Sequence, residues 1–326
     1  MSGVPVLILK AFLLLLALTV AVYIGLYFLV PKKIADTAMS LERMRAGLQR
    51  SEMDIEVDGR GFHIVYLEGG PANGPPLLLL HGIGADKDNW TRVAAKLTQR
   101  YRVYAIDIPG FGESSKPADA RYRIGDQVER VALVAKKLGL TRFHLGGNSM
   151  GGWISAAYAI AHPDQVQSLW LLDPAGVFSA EESEMIKLIA AGMPLPLFAR
   201  SKQDFGRLLQ FVMQKPPFIP APVLAVLAER QIANYALNEQ IFDEIREQSG
   251  VLDATLAEMN PPLATPTLIV WGDKDRVLHP SGAAILHRLL PNSQVLMMAG
   301  IGHLPMLEAP GRAAQDYLAF RAGLAE

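Results

Sequence analysis

The hydrophobic pattern divides the chain into three regimes. From Ala11 to Val30 no residue is charged and hardly one is polar. Twenty apolar residues at about 1.5 Å each span about 30 Å as a helix, the thickness of a bilayer's hydrocarbon core. Lys10 precedes the run, Lys32 and Lys33 follow Pro31, and Tyr23 and Tyr27 lie where an interfacial aromatic belt would be. Residues 1–33 are therefore expected to be an uncleaved transmembrane anchor. The rival, a cleaved signal peptide, fits less well: the run is long, and Tyr-Phe-Leu-Val-Pro lacks a small-x-small site.

Residues 34–50 change period. Ile34, Ala38, Leu41, Met44 (or Arg45) and Leu48 recur at three- and four-residue steps, which predicts an amphipathic helix. It could pack on a globular domain or lie at the lipid surface as a juxtamembrane helix.

After residue 50, short apolar runs alternate with helical stretches. Asp54–Val57 and Phe62–Leu67 flank Asp58-Gly59-Arg60-Gly61 and predict a hairpin. Pro76–Leu80, Val103–Ile106, Phe143–Leu145, Ser168–Leu172, Thr267–Trp271 and Gln294–Met298 are apolar on both faces, as buried parallel strands are. Helices are expected over Arg123–Leu138 and Trp153–Ala161. Such alternation predicts an α/β domain with a mostly parallel sheet flanked by helices, over 51–177 and 263–326. Residues 178–262 carry no strand pattern. They are rich in Met, Leu and Phe, broken by prolines, and too long for a plain loop. A helical cap over the sheet's C-terminal edge is expected there.

Composition adds exclusions. The 326 residues are half hydrophobic and 19% charged, which rules out a disordered chain. With 31 basic and 32 acidic residues, the charge gives no reason to expect a nucleic-acid partner. The absence of cysteine removes disulfides, thiolate nucleophiles and cysteine–zinc sites. Gly82-x-Gly84 and Gly110-x-Gly112 lack a dinucleotide fingerprint, and there is no helical His-Glu-x-x-His and no calcium loop, so neither cofactor nor metal is implied.

The chemistry concentrates in a few loops. Gly147-Asn148-Ser149-Met150-Gly151-Gly152 holds a G-x-S-x-G between an apolar strand and a helix. Such a sharp turn lifts the serine Oγ above the sheet, and the helix N-terminus aims free N–H groups at the same point. Ser149 is the expected nucleophile. A hydroxyl needs a base, and of the seven histidines His303 has the best setting, the glycine-rich loop Gly300-Ile301-Gly302-His303 past a strand. His63, His144, His162, His279 and His287 have none comparable. The base needs an acid, for which Asp275 and Asp273 after the strand ending at Trp271 compete, with Asp173 as a third choice and Asp275 preferred. Ile83 and Met150 N–H groups are expected to form the oxyanion hole, with Gly82 allowing close approach and His81 ordering the loop. His81 and Asp86 also match an acyltransferase H-x-x-x-x-D spacing, read here as coincidence.

Together, His81-Gly82-x-Gly84, Asp107-x-Pro109-Gly110-Phe111-Gly112-x-Ser114, the Ser149 elbow, Gly272-x-x-Asp275 and Gly302-His303-x-Pro305 resemble α/β-hydrolase-fold enzymes over about residues 54–320. With the apolar N-terminus, the whole chain resembles membrane-anchored monoacylglycerol lipases, and more closely a bacterial membrane-bound phospholipase A from Pseudomonas. The resemblance implies a serine esterase of phospholipid or monoacylglycerol, a fatty acid as product or bound regulator, and homodimers through the anchor and juxtamembrane helix. It also implies a single-pass protein of the bacterial inner membrane with a periplasmic catalytic domain. The lysines and arginines after the span vote for the opposite side. The elbow is also similar to that of soluble carbon–carbon bond hydrolases of ring-cleavage products, and a non-catalytic lipid-binding scaffold is the reading outside enzymology.

Overall fold

The computed structural model describes residues 4–324, with side chains of the first helix described for Leu7–Ala21 and Gly25. That helix, α1 (Val4–Leu29), has 26 residues. Its described large apolar side chains, Leu7 to Val20, are all exposed, Leu14 by 74%. Among the described residues no helix is long and apolar enough to cross a membrane. The side chains of Tyr23 and Tyr27, expected in an aromatic belt, lie outside the described residues.

The helix expected over 34–50 is shifted. It is α2 (Pro31–Arg45), opened by a proline at its first turn. Gly47 at φ +70° then turns the chain, and Leu48 is already the first residue of a strand. The apolar spacing that included Leu48 had joined two elements. Helix α2 buries Ala35 and Met39 against Val223 and Val226 of the cap, so it packs on the globular domain.

The sheet has eight strands: β1 (Leu48–Val57), β2 (Arg60–Gly69), β3 (Pro76–Leu80), β4 (Arg102–Ile106), β5 (Phe143–Asn148), β6 (Val166–Leu172), β7 (Thr267–Gly272) and β8 (Ser293–Met298). Their spatial order is β1-β2-β4-β3-β5-β6-β7-β8. The hairpin β1–β2 is antiparallel and joins β4 antiparallel, while every pair from β4 to β8 is parallel. The hairpin is longer than expected from sequence because the residues added to β1, Gln49 to Glu52, are polar and mostly exposed and carry no apolar strand pattern.

Both faces of the parallel sheet are covered. In β3, Leu78 and Leu80 enter one core and Leu77 and Leu79 the other. In β7, Ile269 and Trp271 face the first, Leu268 and Val270 the second. This two-sided burial follows from the pleat and explains the unbroken apolar runs. Helices α4 (Ile124–Lys137) and α5 (Met150–Ala161) supply the first layer, and α3 (Thr91–Leu97) supplies part of the second.

Between β6 and β7 the chain forms α6 (Glu184–Ala190), α7 (Lys202–Val212), α8 (Ala221–Ala233), α9 (Tyr235–Arg246) and α10 (Leu252–Glu258), with no strand. Met185, Phe198, Phe211, Val212 and Met213 of this insertion bury Val277 of the loop after β7. Helix α11 (Gly282–Leu289) joins the first face, and α12 (Pro305–Glu308) and α13 (Pro310–Gly323) close the second.

Candidate active site

The loops leaving the C-terminal ends of the parallel strands meet beneath the cap. Ser149 sits between β5 and α5 at φ 56°, ψ −120°, a region a β-carbon makes costly. Its neighbours explain why glycines flank it. A Cβ at Gly147 would lie 2.1 Å from the Gly151 carbonyl oxygen, and one at Gly151 2.2 Å from that of Leu80. The elbow therefore closes only with glycine on both sides. Its backbone is held by Ser149 N–H donating to the Leu172 carbonyl (3.1 Å) and Ala175 N–H donating to that of Ser149 (3.0 Å).

His303, in the loop after β8, places Nδ1 2.8 Å from Asp275 Oδ2. Both side chains are buried. The other carboxylate oxygen, Oδ1, accepts from Val277 N–H (2.8 Å) and Leu278 N–H (3.0 Å), which fixes the acid's rotamer. Asn148 holds the His303 backbone, donating through Nδ2 to the His303 carbonyl at 3.0 Å and to that of Leu172 at 3.1 Å.

Asp273, the rival acid two residues earlier, points elsewhere. It accepts from Gly300 N–H at 2.6 Å and lies beside Lys274. Asp173, the third choice, follows β6 at φ 43° and is fully buried. Its carboxylate lies in one group with Asp275 and His303, their polar atoms within 4.8 Å of one another. His303 and Asp275 are turned on each other in this group, and Asp173 Oδ1 accepts from Gly272 N–H at 2.8 Å.

The loop after β3 brings Gly82 and Ile83 to the same place. A Cβ at Gly82 would stand 3.1 Å from Ser149 Cβ and 3.3 Å from Asn148 Oδ1. His81 is buried, with both ring nitrogens engaged: Nδ1–H donates to the Gly82 carbonyl (2.7 Å) and Nε2 accepts from Ile108 N–H (3.0 Å). Burial lowers its pKa to about 4, so the ring is neutral and braces the loop. Met150 is the first residue of α5, so its N–H has no intrahelical partner.

Ser149, His303, Gly82 and Ile83 line one cavity of about 240 Å³. One wall is apolar, with Leu197, Phe205, Leu208, Val212, Met213 and Leu304. The other is polar, and it was not visible in the sequence. Arg230, Gln231, Asn234 and Asn238 of the α8–α9 region face it, joined by Met39 and Glu42 from α2. The signal was there in outline: Gln231, Asn234 and Asn238 are polar at three- and four-residue steps.

The profile of the α/β hydrolase fold matches residues 75–310. This chain belongs to the α/β hydrolase fold family. Lipase 3 of Moraxella sp. (strain TA144) is 43% identical over 289 residues, covering 85% of this chain and 88% of the lipase. Monoacylglycerol lipase ABHD6 of Rattus norvegicus is 28% identical, covering 93% and 92% of the two chains. Among solved structures, that of a membrane phospholipase A described as a bacterial virulence factor is similar at 47% identity and a TM-score of 0.85. It covers 96% of this chain and 98% of its own. A serine hydrolase of carbazole degradation shares the fold at 24% identity and a TM-score of 0.70. The relatives of higher identity group the chain with lipase-type ester hydrolases.

Proposed function

We propose that the protein is a membrane-anchored serine hydrolase that cleaves acyl esters of glycerolipids through an acyl-enzyme. The observation that carries this reading is the Asp275–His303 pair and the Ser149 elbow opening on one cavity with an apolar wall. His303 takes the Ser149 hydroxyl proton on Nε2 as Oγ attacks the ester carbonyl. The charge that develops on the carbonyl oxygen is received by Ile83 and Met150 N–H groups. The tetrahedral intermediate expels the alcohol, which leaves with the proton from His303. Water then attacks the acyl-enzyme, giving its proton to His303, and the fatty acid departs as Oγ regains a proton. Asp275 holds the imidazole in the tautomer this needs and stabilises the imidazolium.

The named activities of its relatives support lipid esters as substrates: lipase, monoacylglycerol lipase and membrane phospholipase A. The uncharged sequence run Ala11–Val30 supports the anchor. As a helix it would extend about 30 Å at about 1.5 Å per residue. On this reading the protein is single-pass in a bacterial inner membrane with its catalytic domain in the periplasm, and homodimers form through α1 and α2. Phospholipid or monoacylglycerol is the substrate, and the released fatty acid is the ligand that the apolar wall would hold.

The test is fatty-acid release by detergent-solubilised protein and its Ser149→Ala variant from phospholipid, lysophospholipid and monoacylglycerol. Serine-dependent release is expected and ranks the head groups. Silence on all three, with Ser149 still labelled by a fluorophosphonate, would redirect the search to short esters and to carbon–carbon bond cleavage. Failure to label would leave a lipid-binding scaffold.

A further inference from the structure

Asp173 is a fully buried carboxyl whose surroundings are ill suited to a negative charge. Oδ1 accepts from Gly272 N–H at 2.8 Å. Oδ2 is buried and receives no hydrogen bond. The charged and titratable groups facing it are Asp275 from the loop after β7, His303 from the loop after β8, and Glu308 from α12. Among the described residues no lysine or arginine pairs with it. A buried carboxylate oxygen without a donor costs several times what a made hydrogen bond returns. Two carboxylates this close hold a single negative charge most stably. Asp275 accepts two backbone N–H groups and faces the imidazole, so the charge belongs there.

We propose that Asp173 is a neutral carboxylic acid that donates its proton to the Asp275 carboxylate and acts as a positioning residue for it. The role of Asp275 as triad acid is taken from the function proposed above. The location of Asp173 suits the task. It lies between Leu172, whose carbonyl accepts from Ser149 N–H, and Ala175, whose N–H donates to the Ser149 carbonyl. The residue thus ties the backbone of the nucleophile's turn to the carboxylate that orients the base. Its backbone is held in the left-handed region at φ 43°, a conformation that needs support from its surroundings. Burial, and then the charge of Asp275, push its pKa well above the ordinary carboxylate range.

Two variants of the full-length protein test this. Asp173→Asn keeps one donor and one acceptor in the same shape without an ionisable proton. The infrared difference between wild type and Asp173→Asn at neutral pH is expected to show the carbonyl stretch of a protonated carboxylic acid, above the amide bands. The acid limb of kcat/KM, which reports protonation of the general base, is expected at the same pH in both proteins. Asp173→Ala is expected to lower kcat about a hundredfold at unchanged KM, the scale of a reacting group displaced by about 1 Å. Absence of the infrared band, or an acid limb moved to lower pH in Asp173→Asn, would mean that a negative charge had been removed and would overturn the proposal. Wild-type kcat in Asp173→Ala would overturn the positioning role. If Asp173→Ala does not fold, the band and the limb decide. The band is read without substrate, so it stands or falls apart from the proposed hydrolase activity.

Discussion

Arg43 at the end of α2 and Asp88 in the 3-10 turn Lys87–Trp90 meet at two points, Nε to Oδ1 at 2.6 Å and Nη2 to Oδ2 at 2.5 Å. Only 13% of the Arg43 side chain and 18% of the Asp88 side chain are exposed. The contact fixes α2 to the segment that follows the Gly82–Ile83 loop. Planar two-point recognition is something lysine cannot supply. Arg43→Ala is therefore expected to cost about 2–3 kcal/mol, the range for charged hydrogen bonds left unmade, and Arg43→Lys to recover only part of it. Thermal unfolding of the two variants measures this. Equal melting temperatures for wild type and Arg43→Ala would show that the contact contributes nothing.

The two aspartates after β7 differ in their partners, His303 for Asp275 and Gly300 N–H with Lys274 for Asp273. Asp275→Asn is expected to reduce turnover about 10⁴-fold, because the amide favours the wrong imidazole tautomer. Asp273→Asn, which touches only Gly300 N–H and Lys274, is expected to change it little. Steady-state kinetics on one lipid substrate decides, and the opposite ranking would move the acid to Asp273.

Gly82 stands against Ser149, the proposed nucleophile. In Gly82→Ala the new methyl would lie 3.1 Å from Ser149 Cβ, tighter than ordinary packing. Either the elbow or the donor loop must shift. A loss in kcat of about a hundredfold is expected, the penalty for roughly 1 Å of misplacement, with a small change in melting temperature. A variant with full kcat would show that the loop accommodates the methyl.

Glu113 sets a pH dependence of stability. Burial acts to raise its pKa, but Lys87 Nζ at 2.6 Å and Arg50 Nε at 2.9 Å outweigh it, and the net is a fall to about 2. Its folded pKa is thus below the ordinary 4.5. The stabilisation is complete above about pH 4.5 and is lost as pH falls towards 2. Because the side chain is 34% exposed, screening reduces it to about 1–2 kcal/mol. Glu113→Gln should melt below wild type at pH 6, and the gap should shrink at pH 3.5. A gap independent of pH would contradict the charge pairing.

Membrane attachment has its own test. Protein carrying α1 should stay with membranes through high salt and carbonate washing. Release into the soluble fraction would overturn the anchor.

Much of this was legible in the sequence for physical reasons. Strands β3 to β7 announce themselves because two buried faces demand unbroken apolar runs, and the edge strand β8 is apolar in sequence although mostly half-buried or exposed. The elbow is legible because no residue but glycine fits at positions 147 and 151. The end of α2 was missed because Leu48 happens to continue the helical spacing across Gly47, and the conformation of Gly47, not the pattern, ends the helix. Also hidden was the buried network in which Lys87 donates to Asp107 at 2.9 Å and to Glu113 at 2.6 Å, with Arg43 and Arg50 adjoining. Its members come from four separate stretches, and apart from Asp107 in its Asp-x-Pro-Gly motif each looks like an ordinary surface charge until folding brings them together. Asp173 was visible only as a competitor of Asp275. Their closeness depends on β6 and β7 being neighbours in the sheet.

The cap interrupts the chain between β6 and β7, and that fixes the order in which the machinery is made. A growing polypeptide completes the Ser149 turn, the Gly82 loop and Asp173, and then passes through five helices before Asp275 and His303 exist. Until β7 and β8 take their places at the sheet's far edge, Ser149 lacks the base proposed to accept its proton. On the proposed function, a half-synthesised chain beside a bilayer would therefore be harmless to it, and hydrolytic competence would arrive only with a finished fold.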